Sequence, residues 1–365
     1  MSYSGRLAAL SGGLADQKLS ALLVSRPENV RYLTGLAGHA DFDYLLLVCT
    51  EARPLLLTNA LYAEEGEKCA AENNFDLHIG RLGEALKQFS DTKASPVVLG
   101  FEGNHLAFAL VEKLRGQHPE IDFQATTDLI ERLRRQKDSE ELNTLKTACA
   151  KTDEALQLLL PLVKPGVSEL ALKQFLQQIA FDLAADGFSF DPIIGAGPHS
   201  ARPHHQPTAR KIQSGELIQF DLGLRYQGYG ADLSRVAVIG QPARRDAELY
   251  DTVAQVQRTT VEQIKPGMDG RELDTIARMA FEGKAFPVYP HGLGHGIGLD
   301  PHVHEAPTLS ARHPQPQPLE EGVVFTIEPG SYLTGEAGVR VEDVLAIVDG
   351  KVEQLSQFPS GLISL

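Results

Sequence analysis

The stretch Lys164–Ala180 reads KPGVSELALKQFLQQIA, and about a hundred residues later Lys265–Ala280 reads KPGMDGRELDTIARMA. Each copy follows an apolar helical pattern, turns at Lys-Pro-Gly and opens another helix. Strand-like apolar runs come next in both halves, and in both they are interrupted by acidic residues. One plan thus occurs twice, and it predicts a duplicated domain. A two-fold repeat gathers side chains from both halves at its centre, a natural place for a shared site.

Outward from the repeat, the charged run RLRRQKDSEE at 132–141 marks a boundary, giving an amino-terminal domain 1–134 and a second domain 135–365. Asp138 with Glu141 three residues on predicts a capping box opening a long helix. Leu142, Leu145, Cys149, Leu156 and Leu160 give that helix one apolar face, and Pro161 and Pro165 end it. Upstream, the strand-like runs ALLVS at 21–25, DYLLLVC at 43–49, PLLLT at 54–58 and PVVLGF at 96–101 alternate with helical patterns. The helices are predicted after Pro27 and closed by Gly35, at 61–73, at 106–116 and at 128–135. That alternation predicts an α/β domain. His39, His78, His105 and His118 fall there at no ligand spacing and read as surface or satisfied core.

Composition narrows the function. With 42% hydrophobic and 22% charged residues the chain is an ordinary globular sequence, and no apolar run approaches the roughly 18 residues a membrane helix needs. The start MSYSGRLAALSGGLADQ lacks the basic beginning and apolar core of an export signal. Three widely spaced cysteines fit neither a disulfide framework nor a thiolate zinc site, which points to a reducing cytoplasm. A net charge of −14 repels phosphate backbones, so nucleic acid is a poor partner and divalent cations a better one.

The chemistry concentrates in the second domain. In ELIQFDLGLRYQGYGADLSRVAVIG, residues 216–240, two alternating runs meet near Gln227 and Gly228, which predicts a β-hairpin. Residues paired across an even loop have numbers with an odd sum and share a face; 221 + 232 = 453 puts Asp221 and Asp232 on one side. Their apolar neighbours Ile218, Phe220, Leu222, Val236 and Val238 mark both faces as buried. A second acidic pair repeats the idea: Glu328 follows VVFTI, and Glu342 lies inside VRVEDVLAIV. Buried carboxylates in such density need compensation, and a divalent cation supplies it. The run His291–His304, HGLGHGIGLDPHVH, holds four of the twelve histidines, and its glycines predict an open backbone rather than a helical zinc pair at His291 and His295. One histidine with four carboxylates suits two ions such as Mn²⁺, Co²⁺ or Zn²⁺.

With these residues in hand, the second domain resembles the pita-bread metallopeptidases and, within them, the Xaa-Pro peptidases, prolidase and Xaa-Pro aminopeptidase. FDLG, ADLSR, GLGHGIGL, TIEPG and GVRVED occur in family order, and RPENVRYLTG is similar to the family's creatinase-like first domain. The resemblance implies an α/β amino-terminal domain followed by an α+β pita-bread domain with an internal pseudo-two-fold repeat. It implies hydrolysis of the bond preceding proline in Xaa-Pro dipeptides, or alternatively aminopeptidase action on longer peptides, in a cytoplasmic homodimer. Two divalent ions per chain, Mn²⁺ first among them, would be held by Asp221, Asp232, His295, Glu328 and Glu342, with Asp232 and Glu342 bridging. His204 in GPHSARPH and His304 before Glu305 match the histidines at the reacting group, Glu328 the residue that takes the water's proton, and Arg340 the arginine behind the bridging carboxylates. His291 matches a substrate-facing histidine, and His199 stands where the family often has Asn, at the rim of the substrate pocket. The sequence departs from the pattern at DPHVH, where two extra residues leave His302 and His304 as alternatives for one role.

Overall fold

The structure is a computed structural model that describes residues 2–37, 43–92, 97–300 and 304–365. The chain divides into two compact units, Met1–Arg134 and Arg135–Leu365.

In the first unit, six strands form one mixed sheet in the order Asp76–Ile79, Leu55–Thr58, Tyr44–Cys49, Ala21–Val24, Val97–Glu102, Ile121–Thr126. The helix Pro27–Thr34 starts on its proline, whose missing N–H costs nothing in a first turn, and stops at Gly35 in the left-handed region at φ 80°. The helices predicted at 61–73 and 106–116 form over Ala63–Asn73 and Phe108–Gln117. Elements beyond those expected are the helices Tyr3–Asp16 and Leu82–Asp91 and the two outer strands of the sheet.

The second unit shows the duplication directly. Gly166 N–H donates to the Ile212 carbonyl at 2.9 Å, and Ile212 N–H returns a bond to Val167. A hundred residues on, Gly267 N–H donates to Leu319 and Leu319 N–H to Met268. Each turn is followed by a side-chain cap, Ser168 on Glu169–Asp182 and Asp269 on Gly270–Ala280. Each half then carries an antiparallel strand pair at the middle of its sheet. Leu217–Leu222 pairs with Leu233–Val238 in a four-stranded sheet, and Val324–Ile327 with Asp343–Val348 in a five-stranded one. The helices Ser139–Leu159 and Glu169–Asp182 bury Leu156, Leu172 and Leu176 against Phe220 and Leu222; Arg244–Glu262 and Gly270–Ala280 bury Val253 and Leu273 in the cluster around Phe325 and Ile327. The capping box forms as predicted, Asp138 accepting from Glu141 N–H and Glu141 from Asp138 N–H, both at 3.0 Å.

Candidate metal centre

The acidic residues converge because the two strand pairs place them at equivalent ends. Asp221 is the next-to-last residue of Leu217–Leu222 and Glu328 directly follows Val324–Ile327; Asp232 directly precedes Leu233–Val238 and Glu342 directly precedes Asp343–Val348. The first hairpin turns at Gln227 and Gly228, both at positive φ (47° and 79°), the two-residue turn whose twist suits a hairpin. Its pairs, such as Asp221 with Ser234 and Arg225 with Gly230, have numbers summing to 455, so Asp221 and Asp232 share a face though not directly opposite. Gly223 lets the arms close between them: a Cβ there would lie 1.8 Å from the Ala231 carbonyl oxygen.

The histidine run differs from the open backbone its glycines predict. Gly294–Gly296 is a short strand inside the five-stranded sheet, paired with Glu305–Leu309 and Val324–Ile327. The glycines are there for close approach, since a Cβ on Gly296 would lie 2.1 Å from the Ala306 carbonyl oxygen. His295 is thereby buried, and its Nδ1–H donates to the Gly296 carbonyl at 3.0 Å. A carbonyl only accepts, so this bond fixes the tautomer and leaves the Nε2 lone pair facing the carboxylates, 3.6 Å from Asp232 Oδ2 and 3.6 Å from Glu328 Oε1.

Ligand atoms of Asp232, His295 and Glu342 lie within 4.8 Å of one another. Asp221 Oδ1, Asp232 Oδ1 and Glu342 Oε1 are buried with no hydrogen-bond partner among the described residues. Burial, and then the neighbouring negative charges, push the carboxyls of Asp232, Glu328 and Glu342 well above the usual range. Orphaned carboxylate oxygens around an imidazole lone pair are what a divalent cation satisfies, so the donor set fits such an ion.

Among the described residues, Arg340 is the guanidinium paired with a carboxylate of this group. It pairs directly with Asp221 and reaches Glu342 through Ser234. Arg340 Nε donates to Ser234 Oγ at 3.0 Å, and Ser234 Oγ donates to Glu342 Oε2 at 2.9 Å. Its Nη1 also donates to the Tyr332 hydroxyl at 2.9 Å, which bonds His291 Nε2 at 2.9 Å. His291 Nδ1–H donates to the Gly292 carbonyl, and burial lowers its pKa to about 4, so the ring is a neutral acceptor held by Tyr332. Ser234, Tyr332 and the buried Gln219, which accepts from Arg340 N–H at 2.7 Å, are site residues the sequence reading missed. Ser234 had a signal, lying two residues from Asp232 on the same strand face.

His304 stacks on His295, ring centroids 3.9 Å apart, beside the cluster. His204 is exposed, near enough to His291 and His304 for its charge to bear on both. His302 lies outside the described residues. His199 does not join the cluster: its Nδ1–H donates to Glu169 Oε1 at 2.9 Å, and His205 Nε2–H donates to Glu169 Oε2 at 3.0 Å. Glu169, His199 and His205 form a second close group, in which the carboxylate oxygens already carry donors. Glu169 and His205 were not singled out from the sequence, although the His204-His205 doublet was visible.

Comparison with known proteins places both units. The model of metallopeptidase family M24 matches residues 143–349, and that of the Creatinase/Prolidase N-terminal domain matches residues 6–136. An Xaa-Pro dipeptidase of Pyrococcus furiosus is 30% identical over 353 residues, 96% of this chain and 97% of that protein. Among solved structures, an Xaa-Pro dipeptidase from Bacillus anthracis superposes with a TM-score of 0.91 at 30% identity, covering 100% of both chains. An X-Pro aminopeptidase from Thermotoga maritima superposes at 0.86 with 27% identity, covering 95% of this chain and 98% of that one.

Proposed function

The chain belongs to metallopeptidase family M24, and on that premise we propose that it is an Xaa-Pro dipeptidase, hydrolysing the bond before proline in Xaa-Pro dipeptides. The observation that carries this reading is the pair of orphaned buried carboxylate oxygens on Asp232 and Glu342, whose ligand atoms lie within 4.8 Å of each other and of His295, with a third orphaned oxygen on Asp221. Asp221, Asp232, His295, Glu328 and Glu342 would hold two divalent ions, Mn²⁺ by preference, with Co²⁺ and Zn²⁺ compatible with the same oxygen and nitrogen donors. Such ions polarise a peptide carbonyl and acidify water toward neutrality.

The remaining steps fall to the chain's own groups. Glu328 takes the proton of the attacking water. His304, beside His295, and His204 donate to the developing oxyanion or to the leaving imide nitrogen. The Glu-Ala-Pro that follows His304 favours it over His302 for this role. Arg340 offsets part of the negative charge and holds Asp221 in place. A proline nitrogen has no hydrogen and fixes the chain direction, so selection for it requires a shaped pocket.

The thiols of Cys49, Cys69 and Cys149, buried and outside any disulfide among the described residues, support a cytoplasmic location, and among the described residues no helix is long and apolar enough to cross a membrane. The reading includes a homodimer, on the family resemblance alone. Protein loaded with Mn²⁺ is assayed on Ala-Pro, Ala-Ala and Ala-Pro-Ala. Turnover of Ala-Pro alone is the expected result; comparable turnover of Ala-Ala removes the proline preference, and turnover of Ala-Pro-Ala moves the assignment to an aminopeptidase. Metal analysis without chelator should find about two ions per chain, and none would mark a non-catalytic binding protein.

A further inference from the structure

Glu169 is fully buried at the first position of the helix Glu169–Asp182, and among the described residues the hydrogen bonds of its carboxylate run to one segment, residues 196–208. Oε1 accepts from Ala196 N–H at 3.0 Å and from His199 Nδ1–H at 2.9 Å. Oε2 accepts from His205 Nε2–H at 3.0 Å, Thr208 N–H at 3.0 Å and Thr208 Oγ–H at 2.9 Å. Burial opposes the charge, and these donors outweigh it, holding the carboxyl below the usual range. Charge-assisted bonds from five donor groups hold one buried carboxylate, and they fix the segment that supplies them.

The geometry of the pinned segment gives the reason. His199 and His205 return to the same carboxylate with ring centroids 4.4 Å apart, so residues 200–204 form a loop closed at its base. On its other side the loop meets the strand that carries Arg340. Gly338 N–H donates to Ser200 Oγ at 2.8 Å, and Arg340 Nη1 donates to the Pro203 carbonyl at 3.4 Å. His204 is the last residue of this loop and adjoins a pinned ring, so its place is set from both sides. With both oxygens of Glu169 occupied by N–H and O–H donors, an ion could enter only by displacing them.

We propose that Glu169 is a positioning residue for the peptidase reaction: through His199 and His205 it fixes the 200–204 loop and with it the distance of His204 from the reacting group. The proposal rests on the peptidase reading above. Its test is a double-mutant cycle between Glu169→Gln and His204→Ala in the Mn²⁺-loaded enzyme, reading kcat and KM on Ala-Pro with metal content measured on each variant.

Glu169→Gln should lower kcat about tenfold or more in the parent and less than about twofold in the His204→Ala background, with ions retained. Losses that multiply show that Glu169 does not act through His204 and overturn the proposal, as does loss of an ion from Glu169→Gln. Where Glu169→Gln does not fold, Thr208→Val removes a single donor and should show the same coupling at smaller amplitude. A second readout stands apart from turnover. In protein labelled with ¹⁵N-histidine, Glu169→Gln should shift the His204 ring signals, assigned by their loss in His204→Ala, along with those of His199 and His205. If the parent does not hydrolyse Ala-Pro, the peptidase reading fails by itself, and an unmoved His204 signal overturns the positioning of that ring separately.

Discussion

The buried acids predict how the protein without metal responds to pH. Asp232, Glu328 and Glu342 have carboxyl pKa values raised well above the usual range, by burial first and then by one another and Asp221. The folded state therefore binds protons that the unfolded chain has released. Where the folded state holds more protons, stability falls as pH rises. The contribution is fully present below the unfolded carboxyl value near pH 4 and is lost as pH climbs through the raised values. Each retained proton contributes about 1.4 kcal/mol per pH unit. If one to two of the three acids keep their proton near pH 6, the slope is about 1.4 to 2.7 kcal/mol per unit. Divalent cations reverse this, because binding requires the ionised carboxylates: Mn²⁺ should displace the same one to two protons and, at about a hundredfold excess over Kd, add about 2.7 kcal/mol. Urea unfolding of chelated protein between about pH 5 and 8 measures the slope, and calorimetric Mn²⁺ titration in two buffers of different ionisation enthalpy counts the protons. A flat or rising stability without metal, together with no proton release on binding, would show that these carboxylates are not crowded as described.

Three further outcomes are expected. Arg340→Met leaves Asp221 buried among like charges and should destabilise the metal-free protein by about 3–5 kcal/mol in urea unfolding, the usual cost of breaking a buried pair. Gly223→Ala forces a methyl to within 1.8 Å of the Ala231 carbonyl oxygen, so the hairpin arms must part; about 1–3 kcal/mol of stability and much of the metal affinity should go together, and an unchanged midpoint in urea would contradict the geometry. His304→Ala should lower kcat about 10² to 10³-fold while metal content stays constant, and full activity would remove the residue from the reaction.

Much of this arrangement was legible in the sequence for identifiable reasons. The paired Lys-Pro-Gly turns carry over into matching backbone bonds at Ile212 and Leu319, because the same turn must close against the same kind of neighbour in each half. The shared face of Asp221 and Asp232 survives a register two residues from direct opposition, since only the parity of the pairing matters. The histidine run was misread because glycine signals both freedom and close approach, and only the strands beside Gly296 tell the two apart. The helix Tyr3–Asp16 was hidden by Gly12 and Gly13 inside it, and the strand Asp76–Ile79 by its shortness, four residues giving its alternation little room to register. Gln219 directly precedes FDLG and Tyr332 lies two residues past TIEPG, but a neutral amide and a phenol carry no metal-ligand signal, so nothing in the sequence singled them out.

Arg235, fully buried, ties residues 358 and 359 to the strands beside the candidate metal centre. Its guanidinium donates to the Ser234 and Glu342 carbonyls, to the Asp343 carboxylate and to the Phe358 and Pro359 carbonyls. Without the Phe358 and Pro359 carbonyls the guanidinium would keep three of its five acceptors in an apolar interior, so a disturbance of residues 358 and 359, far in sequence from Glu342, is felt at the start of the strand Asp343–Val348.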